Sequence, residues 1–259
     1  MTTVLWGEFR RTFHWARSYW VEYLSNFVLY MLGFLLLVVM FRSTTEEFGQ
    51  DGILRSLLGY ITWYMCANVM SSIARVAEDE SRTGTLEQLF LTGLSPGVVF
   101  LSRSAGRILL EIIQGVPLAL VLAILLGVLR PVPLLAMLVF IFTLLGACGL
   151  GFALAGFALV TKRADSLIRT TWQMLVFFSG ALAPMHPSAL ALVAKVLPLG
   201  LGIENLRMIY LNNATLSSLW KNGLLPGLLV NTLAYIVVGY ALFTWGERRA
   251  RRNGTLAHY

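Results

Sequence analysis

Residues 132–160 run without one charged side chain. An α-helix rises about 1.5 Å per residue and a bilayer core is about 30 Å thick, so this run crosses a membrane with length to spare. No small soluble core needs a continuous apolar stretch of that length. Five further stretches have the same character, which gives six predicted spans: 24–41, 53–74, 107–129, 132–160, 167–183 and 224–245. The second is more polar than the others. Composition agrees: 57% of the 259 residues are apolar and 13% are charged, against about 25% charged in a soluble domain. Soluble globular, disordered, collagen-like and disulfide-stapled chains are excluded. The expected fold class is an all-α integral membrane protein, with one transmembrane domain over 23–259.

The apolar stretch 189–203 is too short to cross, and Pro184, Pro187 and Pro198 surround or interrupt it. This pattern predicts a re-entrant external segment over 184–210. Charge supports that count. Arg10, Arg11, Arg17, Arg75, Arg82, Arg103, Arg107, Lys162, Arg163, Arg169, Arg248, Arg249, Arg251 and Arg252 fall on one side, fourteen of the 20 Lys and Arg residues. By the positive-inside rule both termini are expected in the cytoplasm. The same bias accounts for the net charge of +7 without nucleic acid.

Residues 1–22 precede the first span and do not read as a cleaved signal peptide, since no small-residue cleavage site follows that span. Trp6, Phe9, Phe13, Ala16 and Trp20 recur at helical spacing, with Arg10, Arg11, His14 and Arg17 mostly on other faces. An amphipathic helix lying in the cytoplasmic interface is expected.

Residues that could carry catalysis are missing. A P-loop ends in Lys-Ser/Thr, and Lys162, Lys195 and Lys221, the chain's three lysines, stand in no such context. No HExxH occurs. Cys66 and Cys148 lie inside apolar runs and read as small buried residues, with neither zinc nor redox spacing. The chain is therefore not expected to be an enzyme or to hold a metal or cofactor of its own.

The polar residues inside the spans are few and patterned. Tyr60, Tyr64, Asn68, Ser71 or Ser72, and Arg75 share one face of span 2. They either hydrogen-bond between helices or line a substrate path. In span 3, Arg107 and Glu111 stand one turn apart, with Gln114 one turn on, so that pair either holds helices together or works in transport or gating. Tyr23, Phe27, Tyr30 and Phe34 form an aromatic face expected to pack on a neighbouring helix. Ala147, Gly151 and Ala155 form a small-residue face that permits close helix approach.

The loop 78–96 between spans 2 and 3 is the most informative stretch. Glu78, Asp79 and Glu80 would charge the first turn of a short helix over about 83–92. Leu86, Leu89 and Phe90 give that helix an apolar side, and Gly93 and Pro96 stop it. Such a surface suits docking of a cytosolic partner or rest on the membrane.

Glu80-x-x-x-Gly84-Thr85-Leu86-Glu87, followed by Leu94-Ser95-Pro96, resembles the signature of type-2 ABC exporter permeases. Leu197-Pro198-Leu199 with Glu204-Asn205 and Leu206-Arg207 is similar to a second family pattern before the last span. The six spans, the lying N-terminal helix and the re-entrant segment fit as well. The resemblance implies a coupling helix that docks on a separate P-loop ATPase, with Glu80, Thr83, Gly84, Thr85, Leu86, Glu87 and Phe90 at the contact. It implies two ATPase subunits per complex, which carry the ATP and Mg. It also implies a second permease protomer, the same or different, and the bacterial inner membrane. The path implied between protomers makes Tyr30, Tyr64, Asn68, Gln173 and Phe177 its candidates here. Those residues suit an amphipathic, drug-like or lipid-like substrate exported by alternating access. A stand-alone secondary transporter would need ionisable groups at mid-depth and internal repeats. A non-transporting scaffold would share the docking loop alone.

Overall fold

The computed structural model describes residues 20–44, 49–83, 96–161, 165–181 and 194–252. Its elements are α1 (Trp20–Thr44), α2 (Gln50–Thr83), α3 (Pro96–Leu125), α4 (Leu134–Thr161), α5 (Asp165–Phe178), α6 (Pro198–Asn212), α7 (Leu216–Lys221) and α8 (Leu224–Arg252). The N-terminal helix expected within 1–22 lies outside the described residues, save for its last three positions, which begin α1.

Among the described residues, four helices are long and apolar enough to cross a membrane: Trp20–Arg42, Ser104–Leu125, Leu134–Thr161 and Leu224–Ala250. They correspond to predicted spans 1, 3, 4 and 6. The other two predicted spans differ for separate reasons. At 34 residues, α2 extends about 51 Å, but its polar stripe keeps it from being uniformly apolar. It has no need to be, because protein surrounds it: Ile53, Cys66, Ala67, Val69, Met70, Ile73 and Ala74 are fully buried. Helix α5 has 14 residues, about 21 Å, and gives way to a turn at Ser179 and Gly180. Span 3 also ends earlier than predicted. Gly127 takes a left-handed φ of +68°, which glycine adopts without steric cost, and Pro131 and Pro133 follow it.

Contacts fix the direction of each helix. Tyr30 meets Tyr64 and Phe34 meets Tyr60, so α1 and α2 are antiparallel. A Cβ on Gly115 would meet Met65, while Arg130, just beyond α3, reaches Asp51 at 3.2 Å, so α3 is antiparallel to α2. Asp165 pairs with Arg75, Trp172 packs on Trp63, and Ala181 lies against Gly59, so α5 and its turn run antiparallel to α2.

By contrast, α4 and α8 are parallel. Thr232 Oγ1 donates to the Phe142 carbonyl at 3.0 Å. A Cβ on Gly239 would strike the Gly149 carbonyl, and one on Gly246 would strike that of Gly156. Lipid gives little apolar driving force between helices, so close backbone approach through small residues is what holds such a pair. The small face predicted on α4 packs on α2: Ala147 and Ala155 are fully buried, and a Cβ on Gly151 would sit 3.0 Å from the Met70 carbonyl.

Within the predicted external segment 184–210, α6 packs on α4 and α8. Asn205 Nδ2 donates to the carbonyls of Leu201 at 2.8 Å and Leu224 at 3.1 Å. Asn231 Nδ2 donates to Val196 at 2.6 Å. Thus α6 is antiparallel to the start of α8, with Pro198 against Gly146 at its deep end.

Candidate functional site

Helices α1, α2 and α3 enclose a cavity of about 180 Å³. Helical periodicity builds each wall. From α2 come Tyr64, Asn68, Ser71, Ser72 and Arg75, the polar stripe expected from their spacing. Helix α3 contributes Arg107, Glu111 and Gln114, and the first turns of α1 contribute Glu22, Tyr23, Asn26 and Tyr30. Three of the five expected path residues, Tyr30, Tyr64 and Asn68, therefore meet at one cavity, and the Arg107 and Glu111 couple joins them there.

The polar groups of α2 find partners largely inside their own helix. Asn68 Nδ2 donates to the Tyr64 carbonyl at 2.9 Å, Ser71 Oγ to Ala67 at 2.7 Å and Ser72 Oγ to Val69 at 2.9 Å. These bonds of the stripe's amide and serine hydroxyls are local back-bonds within α2. Arg75 does make a link between helices, with Nη1 3.4 Å from Asp165 Oδ1. Two carboxylates, Glu22 and Glu111, and two guanidinium groups, Arg75 and Arg107, line the same space. The formal charges of the lining side chains balance.

An aromatic cluster closes the side of the cavity away from the charges. Tyr30 and Tyr64 meet edge to face at 4.5 Å between ring centres, and Trp63 and Trp172 at 4.4 Å. Tyr60 Oη donates to the Tyr30 carbonyl at 2.9 Å and tilts against Phe34, which is fully buried. This places the aromatic face of α1 against α2, as its spacing predicted.

Gln173 and Phe177 are not brought to this cavity. Both face outward on α5, with Phe177 67% exposed. Trp172, one residue away, turns inward beside the buried Ile168 and Leu175, packing on Tyr30 and Trp63. A one-residue step moves about 100° around a helix, and Ile168, Trp172 and Leu175, spaced at i, i+4 and i+7, mark the inward face.

The expected coupling contact is described only at its edge. Helix α2 continues to Thr83, so Glu78, Asp79 and Glu80 belong to its last turns, not to the first turn of a separate helix. Glu80 and Thr83 stand at that end. Gly84, Thr85, Leu86, Glu87 and Phe90 lie outside the described residues, as does the helix expected over 83–92 beyond Thr83.

Sequence reasoning matched Arg207 only as part of a pattern; the structure shows its contacts. Its Nη2 donates to the carbonyl of Gly180 at 2.9 Å and of Ala181 at 3.3 Å, and its Nε donates to Arg55 at 3.2 Å. These carbonyls belong to the turn after α5 and to the first turns of α2. The arrangement can bind a polar group and hold helices in register.

No curated protein and no solved structure gives a significant match to the chain. The family model of the ABC-2 type transporter matches residues 2–211, which include every helix that walls the cavity and most of α6. The chain belongs to the ABC-2 type transporter family, the permease family of type-2 ABC transporters, and is a multi-pass membrane subunit of that class.

Proposed function

We propose that the chain is the permease of an ATP-driven exporter that moves an amphipathic, drug-like or lipid-like molecule outward. Two separate ATPase subunits, which hold the ATP and Mg, bind residues 80–90 and drive alternating access. The protein sits in the bacterial inner membrane with both termini in the cytoplasm and works beside a second permease protomer, identical or related.

One observation carries this reading. The cavity lies between α2 and α3, the two helices that the 84–95 connection joins, and its charged residues Arg75 and Arg107 stand toward that connection. A force applied to the connection therefore reaches the cavity walls through two rigid helices. Helix α2, about 51 Å long against a core of about 30 Å, is long enough to carry that force beyond the hydrocarbon. The alternating helix directions support six crossings. Parallel α4 and α8 are what results if α5 with its turn crosses once and the segment before α8 enters and leaves on one side. The outward face of α1, with Leu24, Leu29, Leu32 and Leu36 exposed, is available to lipid and to the second protomer.

The test uses inside-out membrane vesicles that contain the whole assembly. ATP should drive uptake of a fluorescent amphiphile, and Tyr64→Ala or Asn68→Ala should lower that uptake several-fold. Uptake that ignores ATP and follows a proton or sodium gradient would transfer the reading to a secondary transporter.

A further inference from the structure

We propose that the cavity between α1, α2 and α3 binds the zwitterionic head of a phospholipid, a phosphate and an ammonium on one short linker. The proposal rests on the permease reading for its orientation, with the cavity toward the cytoplasmic leaflet.

Charge is the first argument. Arg75, whose Nη1 also meets Asp165 at 3.4 Å, and Arg107 line the cavity with guanidinium groups suited to a phosphate, and Glu22 and Glu111 line it with carboxylates suited to an ammonium. An anion alone would crowd the two carboxylates, and a cation alone would crowd the two arginines. A ligand carrying both signs at a short separation can offer a counter-charge to each pair, so the wall discriminates by repulsion as well as by attraction.

Size is the second argument. Sites for drug-sized ligands enclose roughly 300–1,000 Å³, and this one encloses about 180 Å³. It admits a small polar head and excludes the body of an amphiphile. The tails must then lie outside, and the helices that supply the polar wall also carry a separate apolar face. On α1, Leu24 and Val28 are exposed; on α3, Leu109 and Ile113 are exposed. A soluble zwitterion would make no use of that surface. Asn26, Asn68 and Gln114 add amides that can serve either half of the head.

The test reads lipid retention by the assembly as extracted from membranes. After delipidation in mild detergent, it is offered phosphatidylethanolamine, phosphatidylglycerol or a cationic ethylphosphatidylcholine, and bound lipid is counted by native mass spectrometry. Phosphatidylethanolamine should be retained at least tenfold over both others. Arg107→Gln and Glu111→Gln should each reduce that retention about tenfold, while Arg130→Gln, beyond the far end of α3, leaves it unchanged. Should either charge variant fail to stay monodisperse, Asn68→Leu and Gln114→Leu, which fill the cavity and remove no charge, should reduce retention in the same way. Equal retention of phosphatidylglycerol or of the cationic lipid overturns the proposal, as does full retention by the cavity variants. Soluble phosphoethanolamine should compete at least a hundredfold more weakly than the lipid, and equal competition overturns the lipid as the source of the head. Retention requires neither ATP nor an ATPase. An assembly that retains the lipid but has no ATPase partner would keep this site and lose the exporter reading.

Discussion

Gly149 and Gly239 touch backbone to backbone: a Cβ on Gly239 would strike the Gly149 carbonyl. They are 90 residues apart in sequence, and the same offset joins Phe142 to Thr232 and Gly156 to Gly246. A constant offset over two intervals of seven residues marks two parallel helices in fixed register.

Substituting this seam tests it. Ordinary overpacking costs about 1–3 kcal/mol, but here the obstacle is backbone, which cannot change rotamer. Gly239→Leu should therefore lie at or above the top of that range and lower the melting temperature of the purified protein by several degrees. Gly227→Ala is the control. Its Cβ would meet only Leu201 Cδ1, at 3.7 Å, so no loss of melting temperature is expected.

Arg207 joins the turn after α5 to α2 through three carbonyls. Hydrogen bonds to a charged group contribute about 1.5–3 kcal/mol each. Arg207→Ala should release the turn and raise the labelling rate of a reporter cysteine at the buried Ser179 severalfold. Arg207→Lys keeps the charge but loses the planar fork that spans separate acceptors, so its labelling should fall between wild type and alanine. Identical rates in all three would remove the staple from the account.

Arg107 and Glu111 share one cavity wall. If their opposite charges support one another, Glu111→Gln or Arg107→Gln alone should cut transport at least fivefold, and exchanging the two residues should restore part of it. Harmless single changes would leave the couple without a role.

The direction of the chain across the membrane is open to chemical labelling. In a background with Cys66→Ala and Cys148→Ala, Glu47→Cys should react with an impermeant thiol reagent added outside intact cells. Glu80→Cys should react only after the cells are opened. The reverse pattern would invert the topology.

Much of the fold is legible in the sequence because membrane spans have a strong one-dimensional signal. The apolar runs locate α1, α3, α4 and α8, and the spacing of Tyr64, Asn68, Ser71 and Arg75 locates one wall of the cavity. What resists reading is set by partners distant in sequence. The enclosure of α2 depends on α4, whose Gly151 admits Met70 and Ile73. The partners of the inward Trp172, Tyr30 and Trp63, lie more than 100 residues away. The continuation of α2 through Glu78 to Thr83 was hidden for another reason: an acidic triplet reads locally as a helix start, and this helix passes through it.

The measurement that bears most directly on an ATP-driven permease is co-purification. The tagged protein is drawn from membranes in mild detergent, its partners are identified by mass spectrometry and ATP hydrolysis is assayed. The account predicts a P-loop ATPase in equal amount to the permease, lost with Leu86→Asp and weakened with Glu87→Lys. A clean permease without an ATPase, or an ATPase that stays bound to both variants at full strength, would contradict it.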